Sequence, residues 1–101
     1  MKKYKKIRAV YLIYRDGKVI YVGRTVNLAR RIRFHVLRGK LESVDQVKFA
    51  VAHYFRERRA LECQLIHHFK PVFNKCIPRK RSWDPKFVIC LETMEYFEIT
   101  N

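Results

Sequence analysis

Apolar and polar positions along the chain follow two rhythms. Ala9–Tyr14, "AVYLIY", is a continuous apolar run rich in β-formers, the pattern of a strand buried on both faces. Asp16-Gly17 follows as a turn dipeptide and Val19–Val22 as the return strand, so residues 9–23 predict a hairpin. From Leu28 the period lengthens. Leu28, Ala29, Ile32 and Val36 gather on one side of a helix that turns about 100° per residue. Asn27 is its predicted N-cap, and Gly39 supplies the stop after about Arg38. Alternation returns in "QVKFAVAH", where Val47, Phe49 and Val51 oppose Lys48, Ala50 and Ala52 in a third strand. Arg56–Phe69 then predicts a second helix, ended before Pro71. The order β-β-α-β-α predicts an α+β fold, a three-stranded antiparallel sheet flanked by helices. The later "KFVICLETMEYFEIT" is β-prone and reads as an added strand or hairpin. The expected organisation is a flexible basic arm over 1–6, a core over 7–76, and a β-rich C-terminal extension over 77–101 packed on or beside it.

Charge adds a partner to this picture. The chain carries 23 Lys and Arg against 9 Asp and Glu, a formal net charge of +14. Residues 1–40 hold thirteen basic residues and Asp16 as their one acid, whereas residues 82–101 hold Lys86 against four acids. A polyanion accounts for such an imbalance, because each Lys or Arg set on a phosphate releases counterions and adds affinity without reading sequence. Charge says nothing about catalysis. The three cysteines, Cys63, Cys76 and Cys90, have no zinc or redox spacing and read as reduced thiols of an intracellular, cytoplasmic protein. Arg8 and Arg15 confine the first apolar run to a length too short for a secretory leader, and no stretch approaches a membrane span.

Two helix positions carry candidate chemistry. On the first helix Arg30 and Arg33 point away from the apolar stripe, while Arg31 and His35 lie one turn apart on its flank. Periodicity alone treats Arg31 as an ordinary snorkelling arginine. On the second helix Glu62 falls within the apolar arc formed by Leu61, Leu65, Ile66 and Phe69. A carboxylate there costs several kcal/mol if unpaired. It therefore needs a cation such as Arg58 one turn earlier, a metal, or an exit to a cleft. Mg²⁺ suits a site with one or two protein carboxylates because it keeps several waters.

Together these residues resemble the GIY-YIG nuclease domain. The resemblance rests on "AVY" at Ala9–Tyr11, "YVG" at Tyr21–Gly23, "NLARR" with Arg31, His35 four residues later, and "ALECQLIHHFKPVFN" ending at Asn74. It spans roughly residues 7–76 and departs at Ala9-Val10, where the family has Gly-Ile. It implies a Mg²⁺-dependent endonuclease, with Mn²⁺ able to substitute, that hydrolyses DNA phosphodiesters through a single-metal site. The implied catalytic set is Tyr11, Tyr21, Arg31, His35, Glu62 and Asn74. Glu62 would hold the metal, Arg31 would neutralise phosphate oxygens, and Tyr11 would act as the base once nearby positive charge lowered its pKa. Asn74 would orient Tyr11 or the phosphate.

Candidate nucleic-acid contacts are Arg24, Arg30, Arg33, Arg58, Arg79, Lys80, Arg81 and Trp83. The alternative on the same fold is a basic nucleic-acid-binding module that does not cut. DNA is the expected partner, with RNA, the monomer or homodimer state, and targeting by a partner protein left open. A shared site also sets a condition on the hairpin. A two-residue Asp16-Gly17 loop alone places Tyr11 opposite Val22, with Tyr11 and Tyr21 on opposite faces. A three-residue loop, or a bulge elsewhere, brings the two tyrosines to one face, which is the expected arrangement.

Overall fold

The fold is described from a computed structural model, which describes residues 6–75, 77–79, 86–87 and 91–98. Strands β1 (Ala9–Arg15) and β2 (Lys18–Thr25) form the hairpin, and helix α1 (Leu28–Leu37) follows. Strand β3 (Gln46–Val51), helix α2 (Phe55–Phe69), a 3-10 turn (Leu91–Thr93) and a short strand β4 (Glu95–Phe97) follow among the described residues. The sheet is antiparallel with order β2-β1-β3-β4.

The continuous apolar run of β1 makes it the central strand. Its alternate side chains go to different layers: Ala9, Tyr11 and Ile13 pack with Leu28 and Ile32 of α1, and Val10 and Leu12 pack with Leu61, Leu65 and Ile66 of α2. The helices therefore lie on opposite faces of the sheet. Asn27 caps α1 as predicted, its side chain accepting from Arg30 N at 3.2 Å, and Gly39 beyond the helix adopts φ +75°. Among the described residues no helix is long and apolar enough to cross a membrane.

Among the described residues the sheet has four strands, where the sequence predicts a three-stranded sheet and an added strand or hairpin in the extension. The extra one comes from the C-terminal extension, where β4 pairs with β3 in the register Val47↔Phe97 and Phe49↔Glu95. Phe97 meets Phe49 edge-on at 6.5 Å, and Lys48 lies between the rings of Tyr14 and Tyr96. These contacts cover an edge of β3 that would otherwise expose unpaired backbone.

The hairpin satisfies the condition on the tyrosines by the second route. Its loop is the two-residue Asp16-Gly17, with φ +53° and +77°, the double left-handed turn that suits Asp-Gly. Pairing begins Arg15↔Lys18 and Tyr14↔Val19, then shifts by one residue to give Ile13↔Tyr21 and Tyr11↔Gly23. Ile20 is the extra residue, a β-bulge. The shift turns Tyr21 onto the face of Ile13 and Tyr11.

The segment after α2 holds this irregular strand from outside. Phe73 N–H donates to Ile20 O at 3.0 Å. Asn74 grips Val22 at both ends, accepting from its N–H on Oδ1 and donating from Nδ2 to its carbonyl, each at 2.8 Å.

Candidate active site

Tyr11, Tyr21 and His35 form one aromatic cluster between the sheet and α1. Ring centroids are 6.1 Å apart for the two tyrosines, 5.8 Å for Tyr11 and His35, and 5.2 Å for Tyr21 and His35. The Tyr11 hydroxyl and His35 Nε2 share a hydrogen bond of 2.7 Å. Tyr11 lies across Gly23, its cross-strand partner. A Cβ built on Gly23 would overlap the Tyr11 Cζ and hydroxyl and approach Cε1 to 2.8 Å. The glycine is needed for space, since its own backbone is ordinary strand.

Burial sets the protonation of this cluster. Tyr11 and His35 are both fully buried. Burial raises the Tyr11 pKa well above the ordinary phenol value, Tyr21 adds to the rise, and Arg31 offsets only part of it. The sequence reading required positive charge to lower this pKa; here desolvation outweighs the charge, and the resting phenol is protonated. Burial, then Arg31 and Lys40, push the His35 pKa from 6.5 down to about 4, so the imidazole is neutral at pH 7. Among the described residues, His35 Nδ1 is buried without a hydrogen-bond partner.

Arg31 is the helix arginine directed at the cluster. Burial opposes its charge, but attraction to the Tyr11 and Tyr21 hydroxyls outweighs that and raises its pKa. Its guanidinium also lies 4.9 Å from the centre of the Phe34 ring, with Arg38 5.2 Å from the same ring. Arg30 and Arg33 are exposed, as the periodicity predicts. Lys40 reaches the Tyr21 ring at 5.7 Å.

Glu62 is approached from β2. Its Oε1 lies 3.6 Å from Arg24 Nε, a long and part-exposed ion pair. Burial raises the Glu62 pKa, and Arg24 opposes the rise without cancelling it. Arg24 directly follows Gly23, and β2 is the outer strand of the sheet.

The family model of the GIY-YIG catalytic domain matches residues 8–98. The chain belongs to this family. Among curated proteins it is similar to the UvrABC system protein C of Nitrosococcus oceani, with 32% identity over 75 residues, covering 66% of this chain and 12% of that protein. The corresponding protein of Caldicellulosiruptor saccharolyticus is 28% identical over 94 residues, covering 85% of this chain and 14% of its own length. The chain thus spans a small fraction of the curated relatives it matches. Its fold is like that of two point mutants of the GIY-YIG N-terminal endonuclease domain of UvrC from Thermotoga maritima, each bound to a catalytic divalent cation. Both have a TM-score of 0.61, at 23% and 24% identity, and cover 75% of this chain and all of theirs.

Two candidate residues, Asn74 of the GIY-YIG pattern and Arg58, sit differently from the sequence reading. Asn74 spends both amide atoms on Val22, the residue between Tyr21 and Gly23, so it positions β2 and is not aimed at a reacting atom. Arg58 is neither the partner of Glu62 nor a surface contact for phosphate. It is buried, and its Nη1 donates to the carbonyls of Ala52 and His53 at 2.9 Å each. Helical spacing put Arg58 one turn from Glu62, but the backbone carbonyls of Ala52 and His53 in the β3–α2 connection claim it.

Arg79 is exposed, while Lys80, Arg81 and Trp83 lie outside the described residues. Phe34 and Lys40 were missed by sequence reasoning. Phe34 sits three residues beyond Arg31, a spacing that could have flagged it; Lys40 has no such signal.

The donor set at Glu62 fits a hard divalent ion. Among the described residues no group of three or more His, Cys, Asp or Glu side chains forms a metal cage. A single under-compensated carboxylate suits an ion that completes its shell with water and phosphate oxygens.

Proposed function

We propose that this GIY-YIG domain is a Mg²⁺-dependent endonuclease that hydrolyses DNA phosphodiester bonds. The observation that carries the reading is the buried Tyr11–His35 hydrogen bond of 2.7 Å beside Arg31. The buried Nδ1 without a partner and the weakly paired Glu62 cost stability. Binding a polyanion needs neither, whereas phosphodiester hydrolysis accounts for a buried imidazole that can take the Tyr11 proton and for a carboxylate open to a metal. The named relatives and the cation-bound neighbours support the same class of activity.

Arg31 offers a planar fork to the non-bridging oxygens of the scissile phosphate. Tyr11 holds its proton at rest and points it at neutral His35 Nε2. Burial holds the His35 pKa low and the charges of Arg31 and Lys40 depress it further; an arriving phosphate offsets those charges and so raises the proton affinity of the imidazole in part. Tyr11 then takes a proton from the attacking water as it passes its own to His35 Nε2. Tyr21 packs against the imidazole and limits its rotation. Glu62 is the residue that would hold the metal, and a bound Mg²⁺ or Mn²⁺ supplies positive charge for the phosphate and the leaving oxygen.

Supercoiled-plasmid nicking in Mg²⁺ or Mn²⁺ against EDTA tests this reading, with wild type compared with Tyr11→Phe, Arg31→Ala and Glu62→Ala. We expect metal-dependent nicking by wild type and losses of about 10²-fold or more in each variant. Cutting that survives Glu62→Ala would refute its role as metal ligand. A wild-type protein that binds DNA without cutting would be a binding module instead.

A further inference from the structure

The corner where β2 meets the head of α2 carries features that hydrolysis does not use. Tyr54 and Phe55 stand next to each other there, 75% and 55% exposed. The backbone beneath them is pinned by guanidinium groups. Arg58 holds the carbonyls of Ala52 and His53, and Arg8 Nη1 reaches His53 O at 3.5 Å. Arg24 lies 5.2 Å from the Phe55 ring centre and also contacts Glu62, linking the aromatic pair to the candidate metal-binding carboxylate. Arg56 and Arg59 are exposed on the same helix. Tyr, Phe and Arg together also suit a protein-docking patch, but the net charge of +14 favours a polyanion. Here Arg24 beside Phe55, with exposed Arg56 and Arg59 on the same helix, accompanies two exposed rings, the composition of a surface that neutralises phosphates while bases stack.

We propose that Tyr54 and Phe55 form a platform for an unpaired base, so that this corner selects DNA containing a bulge, flap or distorted segment over a fully paired duplex. A paired duplex keeps its base faces within its own stack and offers this corner only phosphates. An unpaired nucleotide offers a free π-face, which stacks on an aromatic ring whatever its identity. The pinned turn fixes the backbone just before both rings ahead of DNA arrival, and Arg24 holds the Phe55 ring, which lowers the ordering cost of the contact. The proposal rests on the nuclease reading only for the placement of the strand beside Glu62, and its test is made without cleavage.

The test is fluorescence anisotropy in EDTA with two oligonucleotides, a paired duplex and the same duplex with a two-nucleotide bulge containing 2-aminopurine. Wild type is expected to bind the bulged duplex about tenfold more tightly, with quenching of 2-aminopurine as it stacks. Tyr54→Ala/Phe55→Ala is expected to lose both the preference and the quenching while binding the paired duplex within about twofold of wild type, and Tyr54→Trp is expected to retain both. Tyr54→Ala alone leaves the Arg24–Phe55 contact intact, and a thermal melt checks each fold. No preference in wild type, an equal loss on both oligonucleotides, or quenching that survives the double substitution overturns the platform. Plasmid nicking without a bulge preference removes this inference alone, and a bulge preference without nicking removes the nuclease reading alone.

Discussion

Tyr11 and Gly23 share one volume at the centre of the site, and each explains the other. The ring is buried over a strand position that has no room for a Cβ. Gly23→Ala should therefore destabilise the fold by about 1–3 kcal/mol through overpacking. Tyr11→Ala in the same chain should remove the clash, so that the double variant loses less than the sum of the singles. Urea denaturation of the four proteins measures that coupling.

His35 gives a second expectation at this scale. Its folded pKa, about 4, lies below the ordinary 6.5. The unfolded chain therefore binds the extra proton first, and the stability from keeping His35 neutral is present above pH 6.5 and lost as pH falls toward 4. The loss is at most about 3 kcal/mol. Glu62, whose pKa is raised, has the opposite slope above its ordinary 4.5. The readout is therefore the difference between wild type and His35→Gln in melting temperature across pH 4–7, with the variant showing the shallower acid loss. An unchanged slope would count against this protonation assignment.

Among the elements, β2 decides whether there is a site at all. Its bulge at Ile20 changes the register that the Asp16-Gly17 turn begins, and Phe73 and Asn74 hold the altered edge. Asn74→Ala should leave the Val22 peptide without these partners, cost about 1–3 kcal/mol, and speed amide exchange at Val22. Exchange as slow as in wild type would show that the clasp is unnecessary. The strands, both helices and the Asn27 cap were legible because each is written in local spacing. The bulge was legible only as a requirement, since no glycine or other local signal marks Ile20. Asn74 was legible as a motif residue but its task was not, because its partner is 52 positions away.

Over the whole molecule, the net charge of +14 predicts DNA affinity that falls steeply with salt. Arginines that contact phosphate can be told from those that hold the fold. Arg30→Ala/Arg33→Ala should reduce the slope of log K against log[salt] by about 2, provided both meet phosphates. Arg58→Ala should leave the slope unchanged while lowering stability, because its guanidinium serves buried carbonyls. Binding isotherms between 50 and 200 mM salt, paired with thermal melts, separate the two roles.

The sequence by itself determined the elements, the basic character, the family resemblance and the oddity of Glu62, because periodicity, charge and motif spacing are properties of the chain. Tertiary structure alone decided which residues meet. It brought Tyr11 and Tyr21 to one face through a bulge, gave Glu62 to Arg24, turned Arg58 to carbonyls, and added β4 to the sheet. Each is a competition among groups far apart in sequence for one buried partner, and its outcome depends on distances and desolvation that no local pattern encodes.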